Sequence, residues 1–153
     1  MLERLDSLDP DVKAKAMQLI LKAAHAGIPL RITQAYRTLQ EQAVLYAQGR
    51  QSLESVNVLR RRLGWSDLKD YENRVVTHAA AGQSWHNFRR AFDVVPMHTG
   101  VPDWLSPHWE QIGELGESVG LEWGGRWQHK DMPHFQDRGG LTLAEMQATP
   151  SNG

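Results

Sequence analysis

Two short stretches carry residue types able to do chemistry together: Ser84-Trp85-His86-Asn87-Phe88-Arg89-Arg90-Ala91-Phe92-Asp93 and Asp131-Met132-Pro133-His134-Phe135. Each pairs a histidine with a carboxylate near the edge of an extended run. The chain has no cysteine, so any metal site must rest on imidazole and carboxylate groups. Zinc accepts such ligands, and a catalytic centre keeps three protein ligands so that the fourth position can hold water. Two histidines and one aspartate meet that count, and the carboxylate left over can serve as a base beside the water. Metal-assisted hydrolysis is the chemistry this pattern points to. A lone histidine six residues from an aspartate arises often by chance, so the weight lies in the two segments together. A glycoside hydrolase would need two carboxylates across a sugar, and no such pair stands out against the His-Asp pairs.

The elements that must position these groups are legible from local patterns. Asp9 followed by Pro10 reads as an N-cap and first helical residue, after which Val12, Ala16, Leu19, Ile20 and Ala23 recur at helical spacing until Gly27. Residues 28–36 alternate and suit a strand, with Ile28, Leu30 and Ile32 on one face. Thr38 and Glu41 form a capping box for a helix carrying Val44, Leu45 and Ala47 and stopping at Gly49, which leaves Arg37 at a strand-to-helix corner. Residues 50–74 read as a helical excursion. Val75-Val76-Thr77 and residues 91–95 are strand-like. Ser106-Pro107 opens a helix with Trp109, Ile112, Leu115 and Val119 on one stripe. Trp123-Gly124-Gly125 makes a turn, His134-Phe135-Gln136 a last strand, and Thr142 with Glu145 caps a short terminal helix. Helices and strands mix without regular βαβ alternation, which predicts an α+β fold with a small, mainly antiparallel sheet flanked by helices. One domain is expected over residues 1–148, with a loose C-terminal tail over 149–153.

Composition narrows the function class. Hydrophobic residues at 41% and charged residues at 23% exclude a disordered polymer. A formal net charge of -1 gives no reason to expect nucleic acid as a partner. Residues 1–6 lack the apolar core of a secretion signal, and no run approaches the ~18 apolar residues of a membrane span. Synthesis in the cytoplasm is therefore expected, with some other agent giving access to any substrate beyond the membrane. His25, His78, His98, His108 and His129 have no partner at motif spacing and read as surface or packing residues, although His129 lies near Asp131 and a substrate contact stays open for it. The Arg60-Arg61-Arg62 run reads as a solvated helix face. Trp104, Trp109, Trp123 and Trp127 read as core and cleft wall.

In register, Ser84, His86, Ala91 and Asp93 resemble the Ser-x-His-x-x-Gly-x-Ala-x-Asp motif of the M15 zinc peptidases, which include D,D-carboxypeptidases and the L-alanyl-D-glutamate endopeptidases of phage endolysins. Trp123-Gly124-Gly125-Arg126-Trp127 with Asp131-Met132-Pro133-His134-Phe135-Gln136 is similar to the family's second motif. Tyr36-Arg37-Thr38, Glu41-Gln42 and Leu45-Tyr46-Ala47-Gln48-Gly49-Arg50 resemble an upstream motif of its endopeptidase branch. The resemblance implies the zinc-peptidase fold shared by D,D-peptidases and hedgehog-type domains, with Zn2+ held by His86, Asp93 and His134. It implies a general-base role for Asp131, substrate contact and oxyanion stabilisation by Arg37, and a hydrogen bond from the Ser84 hydroxyl to substrate. The activity it implies is hydrolysis of the L-Ala to D-Glu bond in peptidoglycan stems by a phage or prophage endolysin. Such a protein would act as a monomer on the wall in the periplasm, after a holin-like protein permeabilises the membrane. A D-alanyl-D-alanine carboxypeptidase and a non-catalytic wall-binding protein on the same fold are the alternatives.

Two departures from the motifs carry expectations of their own. Arg89 stands at the motif's glycine, so the loop must either avoid a positive φ there or bear a strained one at a cost of about 1 kcal/mol or more, and a locally altered loop rather than a lost site is expected. The connection over residues 51–74 is longer than the family's usual one and is expected to reshape one wall of the cleft.

Overall fold

The computed structural model describes residues 1–149, so residues 150–153 of the expected tail lie outside the described residues. Five strands, β1 (Leu30–Gln34), β2 (Ala91–His98), β3 (Val101–Pro102), β4 (Glu122–Trp123) and β5 (His134–Gln136), form an antiparallel sheet. Its order is β1-β2-β5-β4, with β3 paired to the end of β2. Among the described residues six α-helices complete the α+β arrangement: α1 (Leu2–Asp6), α2 (Pro10–His25), α3 (Leu39–Ala47), α4 (Leu53–Arg62), α5 (Trp109–Ser118) and α6 (Leu143–Ala148). Among the described residues no helix is long and apolar enough to cross a membrane.

The sheet register decides which side chains can meet. Val12, Ala16, Leu19 and Ala23 of α2 and Trp109 and Ile112 of α5 share one apolar cluster with Ile32, Phe92, Val94 and Phe135 of the sheet. Gly113 and Gly116 let α5 lie directly on the Trp123 and Phe135 rings, where a methyl at either position would collide. Alternate strand residues face opposite sides, so with Phe92 and Val94 turned to the helices, Asp93 faces away from them. Directly paired residues share a face, and the register pairs Asp93 with His134 on one side and with Gln34 on the other. The same register stacks Phe92 on Phe135 beneath the site, ring centroids 5.8 Å apart. Each such ring contributes about 1.5–3 kcal/mol by its burial, so the strands carrying Asp93 and His134 are anchored at the most apolar part of the molecule.

Elsewhere the structure departs from local patterns for identifiable reasons. Val75-Val76-Thr77 is not a strand: it pairs with none among the described residues, and both valines are exposed. That segment is tied to α3 instead, where Gln42 Nε2 donates to the Ala79 carbonyl at 2.7 Å and Gly49 presses against the backbone of Val75. The helix expected from Ser106-Pro107 starts at Trp109. The excursion after residue 50 is α4 followed by an irregular return, pinned where buried Asn57 exchanges hydrogen bonds with both backbone groups of Leu68.

The loop at Arg89 does not avoid the positive φ. Arg89 takes up the left-handed conformation itself, with φ 62 and ψ 23. Its guanidinium lies 3.9 Å from the Tyr36 ring centroid and donates to the Ser7 carbonyl at 2.9 Å, while its own carbonyl accepts from the Asp9 N–H at 3.0 Å. These contacts offset a conformational cost of about 1–2 kcal/mol. They also bind the N-terminal segment to the site's surroundings, together with the Ser7 hydroxyl accepting from the Tyr36 N–H and Arg4 donating to the Ile32 carbonyl.

Candidate active site

His86, Asp93 and His134 converge at the edge of β2 and β5. His86 sits in a short 3-10 turn, Trp85–Phe88, and its own N–H donates to the hydroxyl of Ser84. Its Nδ1 lies 2.8 Å from the Ala35 carbonyl. A carbonyl can only accept, so Nδ1 carries the proton and Nε2 is left with a free lone pair. That Nε2 stands 3.3 Å from Asp93 Oδ1, and His134 Nδ1 stands 3.2 Å from the same oxygen. Asp93 Oδ1 is nonetheless buried without a hydrogen-bond partner. Two atoms bound tetrahedrally to one zinc at about 2.0–2.1 Å lie roughly 3.3–3.4 Å apart. The spacing, the donor set and the orphaned oxygen therefore fit a shared cation.

Electrostatics agree with that geometry. Burial alone would raise the Asp93 pKa, but His134 and His86, where protonated beside it, hold it well below the usual carboxylate range, the same pull that a shared cation would exert. The carboxylate is thus ionised and ready to ligate. His134 donates through Nε2 to Gln136 Oε1 at 2.8 Å, and the Gln136 amide donates in turn to Glu122. The relay fixes the tautomer of His134 with Nδ1 turned to the centre.

Asp131 lines the same cleft, on the turn that leads into β5. Desolvation and the neighbouring Asp93 charge raise its pKa, against the pull of His134, His86 and Arg37. Its backbone N–H donates to the Gly124 carbonyl at 2.9 Å, and a side chain at Gly124 would strike the Asp131 carbonyl and His134. Arg37 follows β1 and donates to Gln42 Oε1 at 2.9 Å, with a longer contact to Gln34 at 3.5 Å. Its backbone N–H reaches the His86 carbonyl at 3.0 Å, which locks the arginine's path to that of the ligand turn. Ser84 also lines the cleft, so all six residues singled out in the sequence come together.

Gln42, Gln136 and Glu122 had no role assigned from sequence. Strand alternation reveals Gln136, because a residue two beyond His134 shares its face. Gln42 is fully buried beside the capping-box glutamate, the one polar side chain on a buried face otherwise made by Val44 and Ala47.

A histidine-carboxylate centre of this kind, set in an open cleft with a second carboxylate beside it, defines a metallopeptidase-type site. A family model described as D-alanyl-D-alanine carboxypeptidase, of the M15 peptidases, matches residues 77–137. The chain is 30% identical over 145 residues to the peptidoglycan L-alanyl-D-glutamate endopeptidase CwlK of Bacillus subtilis strain 168, covering 84% of this chain and 72% of that protein. It therefore belongs to the M15 peptidase family and is a metallopeptidase. Among solved structures it is similar to the L-Ala D-Glu endopeptidase ChiX of Serratia marcescens, with 27% identity, a TM-score of 0.54, and 95% of this chain and 89% of that one covered. The vancomycin-resistance D,D-pentapeptidase VanY in complex with Zn(II) shares the fold at 14% identity and a TM-score of 0.54, covering 91% of this chain and 83% of that one.

Proposed function

We propose that the protein is a zinc-dependent peptidoglycan endopeptidase that hydrolyses the L-Ala to D-Glu bond of wall stem peptides. The reading rests on the His86-Asp93-His134 cluster sharing one cleft with Asp131 and Arg37, in a chain similar to two proteins named for that bond. His86, Asp93 and His134 would hold the ion. Bound zinc lowers the pKa of a water to about 7 and polarises a carbonyl. Asp131 takes the proton of the attacking water and passes it to the leaving amine as the C–N bond breaks, giving a new L-Ala carboxylate and a new D-Glu amine. Its raised pKa makes it a stronger base toward the water's proton. Arg37, braced by Gln42, donates to the oxygen that becomes negative during attack. The Ser84 hydroxyl hydrogen-bonds the peptide.

The setting we infer is lysis, by a monomeric endolysin of a phage or prophage that reaches the periplasmic wall once a holin-like protein opens the membrane. Digestion of purified sacculi followed by mass spectrometry tests the activity. New N-terminal D-Glu and C-terminal L-Ala ends are expected, lost on chelation and restored by Zn2+. Free D-Ala as the sole product would assign the activity for which the matching family model is named. Absence of any product would leave a non-catalytic wall-binding role. For the setting, expression alone should leave cells turbid and a co-expressed membrane pore should clear them; clearing without the pore would count against it.

A further inference from the structure

Three basic side chains at the cleft have no part in the hydrolytic scheme. His78 belongs to the irregular segment between α4 and β2, while His129 and Lys130 belong to the turn between β4 and β5. All three are exposed and line the cleft. The His78 and His129 rings face each other from these two segments, centroids 6.1 Å apart and tilted by 37°. Among the described residues none of the three makes a side-chain hydrogen bond or ion pair. The acidic residues lining the cleft are Asp93 and Asp131, which the site already occupies. A cleft of about 670 Å³ thus carries unpaired nitrogen donors from two separate segments of its lining, an arrangement suited to an anionic group of a bound ligand.

We propose that His78, His129 and Lys130 form a carboxylate clamp that selects stem peptides whose D-glutamyl residue keeps a free α-carboxylate over stems in which that group is amidated. The proposal rests on the endopeptidase reading above. D-Glutamate in a stem is linked onward through its γ-carboxyl, so its α-carboxylate branches from the carbon that bears the scissile nitrogen. Hydrolysis at Asp131 holds this branch close to the two residues that immediately precede Asp131, which are His129 and Lys130. His78 joins them from the segment before β2, its ring beside that of His129.

Two synthetic stem peptides that differ only in D-glutamate against D-isoglutamine provide the test. The wild-type protein should favour the free carboxylate by about tenfold in kcat/KM, the scale of one charge-assisted hydrogen bond, with the difference lying in KM. Combining His78→Asn, His129→Asn and Lys130→Gln should bring the ratio toward one, whereas Lys130→Arg should retain it; a merely structural role would not move the ratio. Because all three residues are exposed, single substitutions with normal circular dichroism and metal content serve if the combined variant fails to fold. A wild-type ratio near one, or a ratio that persists without the three side chains, overturns the clamp. If neither peptide is cut, the endopeptidase reading has failed, and equilibrium binding of the same two peptides to the zinc-loaded protein still decides: equal affinities overturn the clamp, and tighter binding of the carboxylate peptide supports it.

Discussion

The two histidines flanking Asp93 are aimed by different means. His86 stands on a 3-10 turn and is oriented by a main-chain acceptor, the carbonyl of Ala35. His134 stands on β5 and is oriented by a side-chain relay through Gln136 to Glu122. An orientation set by a carbonyl belongs to the path of the chain and survives exchange of the side chain that bears it. One set by an amide and a carboxylate can be lost in a single substitution. The His134 arm is therefore where metal affinity can be tuned, and the His86 arm is where it is fixed.

The largest effect erases this contrast altogether. His86→Ala or His134→Ala should each take metal content from about one ion per chain to near zero and abolish hydrolysis, since a three-ligand centre cannot spare a ligand. Metal analysis after gel filtration is the measurement, and full activity in either variant would remove the centre from the mechanism. Asp131→Asn comes next: it should keep fold and metal while turnover falls by about 10² to 10⁴, because the amide cannot accept the water's proton. Metal loss with hydrolysis regained on remetallation would instead make Asp131 a ligand.

The contrast itself is tested one step further out. Gln136→Leu should weaken metal binding by about 10- to 100-fold in a chelator competition, the range for lost orienting groups. Ala35→Gly keeps its carbonyl and should bind metal as the wild type does. Equal losses in the two variants would show that both arms are held alike. The smallest effect is expected at Arg89→Gly, beside the His86 turn. Glycine relieves a left-handed conformation worth about 1–2 kcal/mol but forfeits the stack on Tyr36, worth about 0.5–1 kcal/mol, and the bond to Ser7. Thermal unfolding should therefore shift by the equivalent of roughly 1 kcal/mol or less, with metal content unchanged.

The same division between side chain and main chain explains what could be read from the sequence. His86, Asp93, His134 and Asp131 stand out by residue type and spacing, Arg37 and Ser84 only by their places in motifs that resemble the family's, and the structure gathers all six into one cleft. The carbonyl of Ala35 has no such signature, because every residue has one and only the fold decides which faces a ligand. Val75-Val76-Thr77 has the composition of a strand, yet β-propensity describes side chains that suit a pleated surface and cannot supply a partner. In place of a strand partner, Gln42 reaches the Thr77 hydroxyl and the Ala79 carbonyl just beyond it. Helix α1, five residues long, is shorter than the periodicity needed to detect it. At Arg89 the rule that disfavours left-handed backbone was sound locally and was outweighed by Tyr36, Ser7 and Asp9, residues 50 or more positions away in the chain.

The stitching of the N-terminal segment has a practical side for anyone who shortens or fuses this protein. Leu5 and Leu8 are buried in the core, and Ser7 serves both Tyr36 and Arg89, the direct neighbours of Arg37 and of the ligand turn. Residues 1–9 are thus a working part of the enzyme's frame rather than a dispensable leader. Trimming them to tidy a cloning junction would expose two core leucine pockets and release the backbone that carries Arg37. A partner joined after α6, a helix that buries none of its residues, leaves that frame whole.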